Sequence, residues 1–269
     1  MTDPTSVHSG ASEATEAGFL GGRIRLRQPE RGYRAAIDPV FLAAAVPAVR
    51  GDMVLDAGAG VGAASLCLAW RVPGCRVSGV ELQRDLVRLA GENIELNGFT
   101  GRVDVMVGDL TRPPTRLAPG SFAHVMANPP YLEAGRVQPS PDAGKAVASV
   151  EELAQREMHG WAGGVGAGLA DWLRFCHAMV CRRGSLTIIH RADRLDALLA
   201  ELRGIAGGIV VYPLWPDRSN KPAKRVLVRA IKGAAGPMRL AAGMVVHQDD
   251  GSYTPAAEAV LRHGEGLAL

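Results

Sequence analysis

Two rhythms of apolar and polar positions alternate along the chain. Short, mainly apolar runs at 53–56, 76–80, 103–107 and 122–127 each end abruptly in polar or glycine residues, as strands of a largely buried sheet do. Between them, apolar positions recur at helical spacing. One such stretch covers 63–71 and another 85–97, where Leu86, Leu89, Ile94 and Leu96 are apolar and Asn97-Gly98 closes the helix. The second half continues with helices at 170–180 and 193–202 and strands at 185–190, 209–214 and 225–231, the last two joined without a helix. Strands alternating with helices predict an α/β, doubly wound sheet, and the helix-free final connection predicts a reversed last strand. Ahead of the sheet, 23–26 and 33–37 read as a short hairpin, and Asp38-Pro39 as an N-cap followed by Pro at the first helical position. Residues 1–21 lack the basic start and apolar core of a secretory signal and read as a disordered tail, leaving 22–269 as one domain.

Each of the first four strand ends carries groups suited to a nucleotide-like ligand. Asp56 closes the first run, and the turn through Gly58, Gly60 and Gly62 lets the backbone approach a ligand without Cβ interference. Glu81 ends the second run about 20 residues further on, where an acid meets ribose hydroxyls. Asp109 follows Gly108 after the third and suits an adenine amino group. The fourth run ends in Asn128-Pro129-Pro130-Tyr131. The Asn128 side-chain carbonyl and the Pro129 backbone carbonyl offer two acceptors for the N–H bonds of a planar amine. The prolines stiffen the loop and remove competing donors, and Tyr131 offers a ring face for a flat substrate. A plain strand-ending turn uses the same residues. Four polar strand ends in succession favour a ligand site instead, because open α/β sheets bind ligands at the carboxyl ends of their strands.

The combination of Asp56-x-Gly58-x-Gly60-x-Gly62, Glu81, Asp109 and Asn128-Pro129-Pro130-Tyr131 resembles the class I S-adenosylmethionine-dependent amino-methyltransferases. The flanking stretches from Gly32 to Leu42 and from Gly251 to Thr254 resemble the bacterial tRNA1(Val) adenine-37 N6-methyltransferase family, and the likeness runs over 22–264. It implies a Rossmann-like, seven-stranded class I methyltransferase sheet with helices on both faces. It also implies S-adenosylmethionine held by Asp56, Gly58, Gly60, Gly62, Glu81 and Asp109, with Asn128, Pro129, Pro130 and Tyr131 as the catalytic clamp. The expected reaction is N6-methylation of adenine in RNA, with tRNA as the expected partner and the base splayed from its stack. Residues 136–168 show no basic target-binding signature, and the glycine-rich 160–168 reads either as a lid or as a flexible insertion.

Composition narrows the field only modestly. With 47% hydrophobic residues, 269 residues bury a sizeable core, while 30 Lys+Arg against 27 Asp+Glu leave a net +3 that does not by itself indicate nucleic acid. Local charge says more. Lys221, Lys224 and Arg225, with Arg218, follow Trp215 between the last two strands, as suits a loop tracking phosphates beside an aromatic platform. Arg23, Arg25, Arg27, Arg31 and Arg34 form a second cluster, and a solvated charged surface is the competing reading for both. Cys67, Cys75, Cys176 and Cys181 make no Cys-x-x-Cys pair and read as reduced, packed residues of a cytoplasmic protein, with no metal expected. His124 and His190 read as core histidines, and Asp249-Asp250-Gly251 as a turn. No apolar run approaches the about 20 residues of a membrane span, so no membrane partner is expected.

Three rival functions fit less well. Protein glutamine N5-methyltransferases present the same planar amine and share the clamp, but the roughly 50 residues before the first strand are fewer than their helical recognition domain needs. An NAD-dependent dehydrogenase calls for G-x-G-x-x-G, whereas these glycines stand two apart. Both this reading and a non-catalytic scaffold leave the clamp unexplained.

Overall fold

The computed structural model describes residues 14–30, 34–130 and 167–269. Strands β1 (Ala14–Phe19) and β2 (Ile24–Pro29) form a hairpin, followed by helix α1 (Asp38–Ala45). The chain then runs through β3 (Met53–Ala57), α2 (Ala63–Arg71), β4 (Arg76–Glu81), α3 (Arg84–Leu96), β5 (Val103–Val107) and β6 (Phe122–Ala127). The second half comprises α4 (Leu169–Met179), β7 (Val180–Arg191), α5 (Leu195–Leu202), β8 (Ala206–Trp215) and β9 (Arg225–Lys232). Two short strands, β10 (Arg239–Leu240) and β11 (Met244–Val245), and helix α6 (Pro255–Leu261) complete it.

The main sheet runs β5-β4-β3-β6-β7-β9-β8, with β10 and β11 both pairing along the outer edge of β8. Strands β3 to β7 are parallel to one another, and β9 is antiparallel to both β7 and β8. The reversed last strand predicted from the helix-free connection is therefore present, slotted between its two predecessors. The expected seven strands are joined by two more of two residues each, too short to show any periodicity. They occupy the β8 edge, which would otherwise expose unpaired backbone groups. Alternation along each strand divides the core. Val54, Met126, Ile189 and Leu227 face the side covered by α1 and α2, whereas Leu55, Val125, Ile188 and Val228 face α4 and α5.

The N-terminal hairpin departs from expectation. Residues 24–29 pair with 14–19, not with 33–37, so the expected tail of 1–21 is ordered from residue 14. Ile24, Leu26 and Gln28 are buried while Arg25 and Arg27 point out, and the other edge of β2 is held by a helix. Asn93 Oδ1 accepts from Arg27 N at 2.7 Å and Nδ2 donates to Arg27 O at 2.9 Å. One helical turn away, Asn97 does the same for Arg25 at 2.9 and 2.7 Å. Four helical residues rise about 6 Å and two strand residues about 6.6 Å, so Asn93 on α3 and Asn97 at its C-cap imitate a neighbouring strand. Asp38 also differs from expectation. It opens α1 without capping it, because its carboxylate accepts from Arg225 Nε at 2.8 Å and ties the helix to β9.

Candidate active site at the carboxyl ends of the strands

The sheet changes direction between β4 and β6, the two neighbours of β3, and such switch points open a crevice at the strand ends. The turn leaving β3 fills it. Gly58, Gly60 and Gly62 have φ of 72°, 54° and 84°, left-handed values that strain residues bearing a side chain. The turn hangs from β4: Gly58 N and Ala59 N donate to Val80 O at 2.8 and 3.1 Å, and Gly60 N donates to Glu81 Oε2 at 3.0 Å. Beneath it a Cβ on Gly79 would lie 2.7 Å from Ala59 Cβ and 2.9 Å from a Val105 methyl. Gly79 is thus a requirement of the turn that strand periodicity conceals.

The two acids divide their work. It is Glu81 that holds the turn, its Oε1 also accepting from Gln83 N at 2.9 Å. Asp56 accepts from the Ser65 hydroxyl in α2 at 2.7 Å. Both carboxyls are buried, and burial pushes each up to about 7, opposed at Asp56 by the bond from Ser65 and at Glu81 by those from Gln83 and Gly60. Asp109 is half-buried, and its Oδ1 accepts from the Thr111 amide and hydroxyl, both at 2.8 Å. The residues fit a nucleoside-bearing cofactor. Glu81 retains acceptor capacity beyond its two amide bonds, Gln83 Nε2 is buried with no partner among the described residues, and the glycine turn presents backbone free of Cβ atoms.

The clamp meets this turn through strand register. Asp56 pairs with Met126 and Ala57 with Ala127, so Gly58 and Asn128 leave the sheet at one level. Asn128 lines two spaces. One is a gap of about 20 Å³ shared with Asp56, Gly58 and Pro39, and the other is a cavity of about 850 Å³. Pro129 is buried and Pro130 partly so, whereas Tyr131 and the candidate lid at 160–166 lie outside the described residues.

The large cavity is walled by the start of α1, the β8–β9 connection and the turn before α6. Lys221, Lys224 and Arg225 all line it. Two of them are already engaged: Lys221 Nζ lies 2.8 Å from Asp217 Oδ2, holding that carboxyl below its usual range, and Arg225 bonds Asp38. Lys224 has no ion pair among the described residues. The expected aromatic platform at Trp215 is not a lining residue, and its indole donates to Ala242 O at 3.0 Å; the rings on the cavity wall are the buried Phe41 and the half-buried His247. Of the described N-terminal arginines only Arg34 lines the cavity. Arg23 bonds the carbonyls of Leu20 and Arg262 and lies over Trp70, while Arg25 and Arg27 pair with Glu16 and Glu92. Arg31 lies outside the described residues.

His124 bonds Ser185 Oγ at 2.8 Å and Asp52 Oδ2 at 3.1 Å. Ser185 is buried, and this chain of groups lies beside the start of β3, where His124 pairs with Val54, away from Asn128, so it is internal polar packing. Burial pulls His190 down to about 4, leaving it neutral at pH 7. All four cysteines are free, and burial pushes Cys67 and Cys176 up to about 12. Asp250 forms the expected turn by accepting from the amide and hydroxyl of Ser252. Among the described residues no three His, Cys, Asp or Glu side chains gather as a metal site, and no helix is long and apolar enough to cross a membrane.

The sheet order and the glycine turn between β3 and α2 are those of the class I methyltransferase fold. Accordingly, the methyltransferase small domain model matches residues 37–147. More particularly, the chain is similar to the tRNA1(Val) (adenine(37)-N6)-methyltransferase of Aeromonas hydrophila, with 27% identity over 88% of this chain and 92% of that one. The enzyme of the same name from Yersinia pseudotuberculosis is 25% identical over 88% of each chain. In fold it resembles the crystal structure of a predicted O-methyltransferase from Agrobacterium tumefaciens, with a TM-score of 0.67, 24% identity and coverage of 86% and 98%.

Proposed function

We propose that this protein methylates N6 of adenine in RNA, with a tRNA as the substrate and the cytoplasm as the place of action. The observation that carries the reading is the position of Asn128, at one level with the glycine turn and on the wall of a large cavity lined by Lys221, Lys224, Arg225 and Arg34. S-adenosylmethionine brings an activated methyl group to such a site. The protein's own task is placement. Gly58, Gly60, Gly62, Glu81 and Asp109, with Asp56 beneath them, hold the cofactor end, and the Glu81 carboxylate accepts from ribose hydroxyls. The Asn128 side-chain carbonyl and the Pro129 carbonyl accept the two N–H bonds of the adenine amine and turn its lone pair forward, while Tyr131 stacks on the base. No general base is required, because the excess proton leaves readily from the methylated product cation. The names of the relatives add support, since they specify adenine and tRNA.

Incubating total tRNA with the protein and S-adenosylmethionine, followed by mass spectrometry of the nucleosides, should reveal new N6-methyladenosine. Methylation of glutamine in a release-factor-type protein in preference to tRNA would replace this reading with the amide one. Binding of NADH without binding of S-adenosylmethionine would overturn the cofactor assignment.

A further inference from the structure

The cavity beside Asn128 is larger than one flipped base requires, since its roughly 850 Å³ lies toward the upper end of small-molecule sites, about 300–1,000 Å³. Its far wall is formed by the turn between β11 and α6, which contributes Val246, His247 and Gln248. That turn is rigidly held. His247 N and Nδ1 both lie 3.0 Å from Pro216 O, Gln248 N donates to Ser252 O at 2.8 Å, and Thr254 N donates to Val246 O at 2.9 Å. Tyr253 stacks behind the imidazole with ring centroids 5.2 Å apart and planes 30° from parallel. In the tautomer that donates Nδ1–H to the Pro216 carbonyl, Nε2 is an acceptor. A fixed aromatic ring with one acceptor, on the wall of a partly cationic cavity, is the composition of a base-stacking site. Of the acids on the cavity wall, Asp38 and Asp217 are already paired with Arg225 and Lys221, while Asp249 has no ion pair among the described residues.

We infer that this cavity receives two consecutive nucleotides of the RNA, the target adenosine at Asn128 and its neighbour at His247, where the neighbouring base stacks on the imidazole. The inference rests on the RNA reading proposed above and adds a second, base-dependent contact to it. His247 positions the substrate by holding the adjacent nucleotide and takes no part in the chemistry.

The experiment uses the full-length protein and RNA hairpins with a single loop adenosine, whose neighbour on either side is a natural base or an abasic residue. For the wild type, removing the base that sits at His247 should lower kcat/KM on the order of tenfold or more, the scale of one base–aromatic stack. His247→Ala should show that loss on the intact hairpin and no further loss on the abasic one, with S-adenosylmethionine affinity unchanged. His247→Gln, which removes the ring and keeps a polar side chain, gives the same readout if alanine lowers the melting temperature. If His247→Ala and His247→Gln remain as sensitive to the abasic residue as the wild type, or if neither neighbour matters to the wild type, the neighbouring base does not sit at His247. Absence of methylation on every RNA, including intact tRNA, would instead remove the RNA reading on which this inference stands.

Discussion

Glu81→Ala separates two roles that the structure places on one carboxylate. The change removes the acceptor for Gly60 N at 3.0 Å and for Gln83 N at 2.9 Å, and each buried donor left unpaired costs about 1–3 kcal/mol. It also removes a carboxyl whose burial raises its pKa from 4.5 to about 7. The folded state holds that proton more tightly than the unfolded state, so the group's favourable contribution is fully present below pH 4.5. It fades as pH rises and is gone once pH passes 7. Between pH 5 and pH 8 this amounts to about 2–3 kcal/mol. Glu81→Ala is therefore expected to destabilise the protein more at pH 5 than at pH 8, by about that amount, because at pH 8 relief of the buried charge offsets the orphaned amides. On the proposed role, cofactor affinity should fall by about 1–3 kcal/mol as charged hydrogen bonds to ribose are lost. That is roughly a fivefold to hundredfold rise in Kd. Urea denaturation at the two pH values and calorimetric titration with S-adenosylmethionine measure the two effects separately. A destabilisation independent of pH would refute the burial argument. Unchanged cofactor affinity would reduce Glu81 to a buttress of the glycine turn.

Three further outcomes follow from other contacts. Asn128→Ala should leave the melting temperature and cofactor affinity nearly unchanged while cutting methyl transfer on the order of a hundredfold, by loss of amine orientation; near-normal turnover, or unfolding, would make Asn128 a turn residue. Lys224→Glu should weaken RNA binding and flatten the dependence of log K on log salt by about one unit or more. Lys221→Glu should do less because Asp217 already offsets the lysine's charge, and filter binding at several salt concentrations tests the difference, equal effects counting against it. Asn93→Ala removes the bonds to Arg27 N, Arg27 O and Val61 O from a fully buried site and should cost about 2–4 kcal/mol in chemical denaturation. A loss under about 0.5 kcal/mol would mean that water replaces those bonds.

The amino-acid sequence by itself determined the sheet strands, the reversed last strand and the position of the glycine turn and Asn128, because each is written in local periodicity or in the chemistry of a strand end. Helix α2 falls on 63–71 as read, and α3 lies within one residue of its expected ends, since an apolar face and a glycine stop act over a few residues. Tertiary structure decided what depends on residues distant in the chain. Nothing near 24–29 distinguishes 14–19 from 33–37 as its partner; the choice rests on burial of Ile24, Leu26 and Gln28 and on Asn93 and Asn97, which meet that strand only after α3 has packed. In the same way Arg225 is drawn to Asp38 and Lys221 to Asp217, and His247 takes the place on the cavity wall expected of Trp215. Side-chain type supplied the candidates, while the route by which distant strands and turns converge selected which of them face the cavity and which of their charges were already spoken for.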